Sequence, residues 1–171
     1  MNFKSTGKLK QIEDSRKLYD YACYWLNRYP CSTLKLKERL FKKCSDKKMI
    51  DDVILRLNEI NYLDDRKLAS GIISSYLKRG YGKNRINRKL YEKKIFDKDI
   101  IESAWEENRE EEESGKEKIL EIIQKKLKHY NLKETKGKMA LIGFLMRRGF
   151  SYDDIMDAFK KSRIMESNFE F

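Results

Sequence analysis

The chain has 171 residues, 39% of them charged and 40% hydrophobic, with eight glycines and one proline. So few turn-formers argue against an all-β fold, and no apolar run approaches the roughly 18 residues that cross a bilayer, so no membrane partner is expected. A net charge of +11, from 39 Lys and Arg against 28 Asp and Glu, makes a polyanionic partner plausible.

Residues 1–12 are Lys-rich and are expected to be a flexible basic N-terminus. Met1–Ser5 is followed by Gln11, Glu13 and Asp14 rather than by an apolar region, so no secretory signal and a cytoplasmic location are expected. Cys23, Cys31 and Cys44 match neither a disulfide framework nor a zinc spacing and read as plain thiols.

The first unit, 13–62, reads as three helices. Leu18, Tyr21, Ala22, Trp25 and Leu26 give a helix from about Asp14 to Tyr29, stopped by Pro30. Ser32 caps a second helix with a stripe of Leu36, Leu40 and Phe41, and Asp46 caps a third through Ile50, Val53, Ile54 and Leu57. Tyr62, Leu63, Asp64 and Asp65 form a structural junction. Leu63 packs back, and Asp64 or Asp65 caps the next helix through Ala69, Ile72, Ile73, Tyr76 and Leu77.

The second unit, 63–108, continues from that helix through Gly80-Tyr81-Gly82, a helix from Lys83 to about Lys94, and one from Asp97 with Ile100, Ile101, Ala104 and Trp105. Glu106–Glu113 then carries net −5, which suits a solvated helix end or linker. The third unit, 109–163, has a helix through Ile119, Leu120, Ile122, Ile123 and Leu127 to about Tyr130, and a loop through Asn131 and Gly137. A helix through Met139, Leu141, Ile142, Leu145 and Met146 follows, then one opened by the Ser151/Asp154 box before Ile155 and Phe159. Residues 164–171 read as a tail.

One template recurs in all three units: a leucine, a basic hinge, and apolar residues ten and fourteen positions after the leucine. It reads Leu40, Ile50, Ile54; then Leu90, Ile100, Ala104; then Leu145, Ile155, Phe159. A spacing near 50 residues implies a repeated supersecondary unit. The expected fold is all-α, three tandem three-helix repeats in an elongated, curved array.

Charge is not spread evenly over the repeats. Between Tyr76 and Lys98 nine basic residues face only Glu92 and Asp97. Arg85, Arg88 and Lys89 fall on the side of their helix away from Ile86 and Leu90, which leaves their charges free. With Lys78, Arg79 and Lys83 at the preceding turn they are candidates to grip phosphates, and Tyr81 offers a ring for base stacking. The plainer reading is a solvated basic face. Sequence-specific major-groove readout is not expected, because the third helices show Lys47, Lys48, Asp51 and Asp52, or Asp99, Glu102 and Glu106, where base-reading residues would stand.

Catalysis has little support. His129 is the only histidine and has no Ser or Cys partner by spacing, and adjacent Asp64 and Asp65 read as caps rather than a metal pair. Gly80-Tyr81-Gly82 lacks the pattern of a nucleotide loop, so no cofactor and no enzyme are expected.

Leu26-Asn27-Arg28-Tyr29-Pro30-Cys31-Ser32 with Leu36-Lys37-Glu38-Arg39-Leu40, Tyr62-Leu63-Asp64-Asp65-Arg66-Lys67-Leu68-Ala69 and Arg79-Gly80-Tyr81-Gly82-Lys83-Asn84-Arg85-Ile86 together resemble the RecX family, regulators of the RecA recombinase, from about residue 18 to 162. Cys44 and Lys94 stand where that family often has glycine, and Ser45 where it often has an aromatic, so the first two hinges are expected to differ in shape. The resemblance implies three tandem three-helix repeats and a non-enzymatic modulator. It would bind RecA filaments, restrain ATP hydrolysis, recombination and coprotease activity, and contact DNA. The expected partners are the RecA filament and single-stranded DNA, with double strands as a further non-specific target, and the expected state is a monomer. A stand-alone DNA-binding transcription regulator, or a helical adapter without nucleic-acid binding, are the alternatives.

Overall fold

The computed structural model describes residues 11–127, 129–130 and 134–162. The expected flexible N-terminus up to residue 10, the loop position Asn131 and the tail 164–171 lie outside the described residues.

Among the described residues the chain is all-α. Nine helices follow in order: α1 (Ser15–Arg28), α2 (Thr33–Phe41), α3 (Lys47–Glu59), α4 (Asp65–Lys78), α5 (Lys83–Glu92), α6 (Lys98–Glu107), α7 (Arg109–Leu127), α8 (Thr135–Arg147) and α9 (Tyr152–Lys161). None is long and apolar enough to cross a membrane.

Helix starts follow their capping residues. Side-chain oxygens of Asp14, Ser32, Asp46 and Asp64 accept the backbone N–H three residues on, and Asp97 accepts from Asp99 and Ile100. Ser151 and Asp154 form a reciprocal capping box. Three helices stop alike, at Asn61, Gly80 and Gly149 with φ of +53°, +72° and +94°. In each, the next residue donates back to the carbonyl five positions earlier: Tyr62 to Leu57, Tyr81 to Tyr76, and Phe150 to Leu145.

The chain packs as two compact units. Among the described residues, one holds 11–68 together with Lys93–Ile95; the other holds Ala69–Glu92 and the residues from Phe96 to 162. In the first, Leu18, Ala22 and Leu26 of α1 meet Leu36 and Leu40 of α2 and Ile50, Val53 and Leu57 of α3, with Cys44 and Leu63 sealing the ends. In the second, Ile119 and Ile123 of α7 pack with Leu141 and Leu145 of α8 and Ile155 and Phe159 of α9. Ile73, Leu77, Ile86, Leu90 and Ala104 are also buried there.

Several expected core positions are not core. Phe41, Met139 and Met146 are exposed, because each lies at the edge of its helix's apolar stripe and its neighbours Leu40, Ile142 and Leu145 fill the centre. The acidic run is no linker: Asn108 alone separates α6 from α7, and the glutamates from Glu110 form the first turns of a 19-residue helix. Negative charge is favourable there against the positive end of the helix dipole. That helix ends at Leu127 rather than Tyr130, and α8 begins at Thr135 rather than near Met139.

The template leucines are all fully buried, but the second hinge is one residue longer. Asp97 caps α6 seven positions after Leu90, whereas Asp46 and Ser151 cap α3 and α9 six after Leu40 and Leu145. The positions matching Ile50 and Ile54 are therefore Ile101 and Trp105, not Ile100 and Ala104. The extra residue is Phe96, which is exposed while Ile95 is buried. Lys94 takes the left-handed conformation that Gly149 takes in the third hinge, and its Nζ reaches Glu38. Cys44 does not adopt it, so the first hinge alone departs from the shared bend.

Each hinge also offers the carbonyl three residues after its leucine. Lys43 O accepts from Ile12 N–H at 2.7 Å, Lys93 O from Ser32 Oγ at 2.6 Å, and Arg148 O from Gly82 N–H at 2.9 Å. The donor in every case lies in the chain before that repeat's own first helix or in the preceding repeat. Hinges thus serve as acceptors for the segment before them, as well as bends.

At the junction, Leu63 packs back as expected and Asp64 is the cap, with its Oδ1 2.9 Å from Lys67 N. Tyr62 is exposed. Asp65 instead accepts the N–H of Thr33, at the start of α2, at 2.8 Å. Burial pushes the Asp65 carboxyl above its ordinary range, against the lowering by the Thr33 hydrogen bond. The folded protein therefore holds this proton more tightly than the unfolded chain, and the group's stabilising contribution is complete below the ordinary carboxylate pKa and falls as pH rises through the raised value. Asp65→Asn keeps an oxygen acceptor for Thr33 and has no charge to bury. Urea unfolding at a series of pH values should show a smaller decline for this variant than for the wild type across that window.

Candidate nucleic-acid interface

The basic residues singled out from the sequence separate into two groups once folded. Around Tyr81, in the turn between α4 and α5, the guanidinium carbons of Arg79, Arg85 and Arg148 lie 5.3, 4.6 and 4.8 Å from the ring centroid, and the Tyr76 ring is tilted against it at 5.3 Å. Each cation over the ring contributes roughly 0.5–1 kcal/mol when solvent-accessible. Tyr81 is therefore an internal anchor for arginines, and its ring is not presented to a base.

The same guanidiniums hold backbone carbonyls at helix ends. Arg148 Nη2 donates to Arg79 O at 2.7 Å and its Nε to Gly80 O at 3.1 Å, while Arg85 Nη1 donates to Arg147 O at 3.2 Å. These carbonyls close α4 and α8, where the helix dipole is negative, so the cations are held without a carboxylate. Arg85 is consequently half-buried and tethered rather than free.

Beside this cluster lies an open cleft of about 580 Å³ lined by Asn84, Arg85, Arg88, Met146, Arg147 and Gly149. It contains three arginines and no acid. Arg88 and Arg147 are exposed, and neither makes a hydrogen-bonded ion pair among the described residues, although, after the larger effect of the Lys89 hydrogen bond, the charge of Arg88 helps to hold the Glu92 carboxyl below its ordinary range. Lys78 is likewise exposed at the end of α4 without a described ion pair.

The other lysines are occupied. Lys83 pairs with Glu112 at 3.0 Å and sits 4.5 Å over the Trp105 ring. Lys89 pairs with Glu92 at 2.9 Å, and that hydrogen bond raises the amine and lowers the carboxyl. The expectation of free charges therefore fails for Lys83, Arg85 and Lys89, because Glu112, Arg147 O and Glu92 come within reach.

Asn84, Arg147 and Arg148 were not among the residues read from the sequence as binding. The signal for the two arginines was present in the third hinge, Arg147-Arg148-Gly149. What one sequence does not display is that this hinge lies against the first turn of α5. The contact is close: a Cβ on Gly82 would meet Gly149 O at 2.3 Å, and one on Gly149 would meet Arg85 Cβ at 2.4 Å. Gly82 N–H to Arg148 O and Asn84 N–H to Gly149 O, 2.9 and 3.1 Å, join the two segments. Among the described residues no group of His, Cys, Asp and Glu is placed to hold a metal ion, and the three cysteines are free.

The architecture defines an all-α protein built of three-helix units. A family model described as "RecX, third three-helix domain" matches residues 112–159. Curated proteins named "Regulatory protein RecX" are similar over most of the chain. The Haemophilus influenzae Rd protein is 28% identical over 81% of this chain and 90% of its own length, and that of Bacillus subtilis 168 is 32% identical over 85% and 55%. The Photobacterium profundum relative is 36% identical over 52% of this chain, which spans only 34% of that protein. A crystal structure of RecX from Lactobacillus salivarius superposes with a TM-score of 0.73 at 19% identity, covering 89% of this chain and 98% of that one. By these similarities the chain resembles the RecX family of regulatory proteins along most of its length.

Because Gly82 has no room for a methyl group, Gly82→Ala should cost at least about 3 kcal/mol in urea unfolding. Gly71, on the exposed side of α4 with nothing within 4 Å of its Cβ position, provides the internal control. Gly71→Ala should stabilise by about 0.5–1 kcal/mol.

Proposed function

We propose that this protein modulates a RecA recombinase, restraining ATP hydrolysis, strand exchange and coprotease activity by binding the RecA filament on single-stranded DNA. Similarity to the RecX family supports the partner, and the acid-free arginine cleft supports the nucleic acid. The cleft is the observation that carries the DNA part of the reading: Arg88 and Arg147 are unpaired among the described residues, and Arg85 is aimed by Tyr81. Such a site binds backbone phosphate by charge and fixes no base sequence. On this reading the protein works in the cytoplasm as a monomer.

Neutralising about five phosphates of a single strand should give a log–log salt dependence with slope about −3.5. Arg88→Glu with Arg147→Glu leaves the packed arginines untouched. In DNA-dependent ATP hydrolysis by the cognate RecA, that variant should require at least about tenfold more protein for equal inhibition, and its salt slope on free single strands should be shallower by about 1.4. Equal inhibition by wild type and folded variant would remove the cleft from the mechanism.

A further inference from the structure

Asn84, Arg88 and Tyr91 stand at i, i+4 and i+7 on α5 and are all exposed, so they form one stripe about 10 Å long. Asn84 and Arg88 line the arginine cleft at its start. At its end Tyr91 stacks on Phe96, with ring centroids 6.0 Å apart and planes inclined by 21°. Both rings are more than half exposed, at 52% and 54%.

Phe96 is the residue by which the second hinge exceeds the other two. It contributes little to packing, since Ile95 beside it is the buried hinge residue at 1% exposure. A pair of large rings left in water costs hydrophobic free energy unless something covers it, and here it lies one helical turn beyond an unpaired arginine. The groove beside Tyr91 has its acids, Glu102, Glu106 and Glu112, on α6 and α7, while Lys98 at the start of α6 is exposed. A polyanion is thus repelled from those acids and held to the α5 stripe.

We infer that Tyr91 and Phe96 form a base-stacking ledge for single-stranded nucleic acid, continuous with the arginine cleft that takes its phosphates. The cleft supplies charge and the ledge supplies a flat apolar surface, which every base can use through its π face. In a duplex the base faces are already stacked on one another, so the ledge favours single strands. It takes the part first assigned to Tyr81, whose ring is occupied by arginines. This rests on the reading of the cleft as a DNA contact and adds the surface that takes the bases.

The test uses the whole protein with an oligonucleotide carrying 2-aminopurine, and with an abasic strand of the same length. Wild type should quench the fluorophore and bind the base-bearing strand about tenfold more tightly than the abasic one. Tyr91→Ala with Phe96→Ala should abolish the quenching and that tenfold preference while leaving abasic binding and the salt slope unchanged. Tyr91→Phe should behave as wild type. Equal affinity of wild type for both strands would overturn the ledge and leave the cleft standing. Weaker inhibition of RecA by the double variant with unchanged oligonucleotide binding would also overturn it, assigning the rings to a protein contact. No binding of either strand would overturn both the ledge and the DNA role of the cleft.

Discussion

The structure depends on a carbonyl that each hinge turns outward, three residues after its buried leucine. A helix C-terminus has orphan carbonyls by construction, and burying one unmet costs as much as losing a hydrogen bond. Here the orphans are used. Lys43 O, Lys93 O and Arg148 O each accept a donor from chain that precedes their own repeat. In the third hinge this requires backbone to approach backbone, which explains glycine at both Gly82 and Gly149. Lys94 reaches a similar bend at φ +63° without glycine, at a cost of roughly 1–2 kcal/mol.

The same contact builds the cationic site. Drawing the third hinge against the start of α5 brings Arg147 and Arg148 beside Arg79 and Arg85. Like charges so close would repel, and two features offset this. Tyr81 lends its negative ring face to three of them, and helix-end carbonyls accept their N–H groups. No carboxylate lines the cleft, and Arg88 and Arg147 make no ion pair among the described residues, so their charge remains available.

Helix positions were readable from the sequence because caps and apolar period are local properties. Ser32, Asp46 and Ser151 cap where the pattern placed them, and the helices read from Asp14 and Asp97 are capped by those two residues. Local signals did not separate stripe centre from stripe edge, which misplaced Phe41, Met139 and Met146. They also did not reveal the residue inserted as Phe96, since Ile100 and Ala104 mimic the template by spacing while Ile101 and Trp105 occupy it. The basic segment was found, but two of the partners that divide it, Glu112 for Lys83 and Arg147 O for Arg85, lie 29 and 62 residues away, and only Glu92 for Lys89 is local. A single sequence carries no direct trace of such contacts.

Hydrogen exchange at the Gly82 and Asn84 amides measures the hinge contact itself. If Arg148 O and Gly149 O hold them in the native state, both should exchange only through the global opening that releases Leu90 in the core, although Gly82 lies in a turn and Asn84 in the first turn of α5, where no intrahelical acceptor exists. Exchange of Gly82 and Asn84 at the rate of an open loop, with Leu90 still protected, would contradict the account.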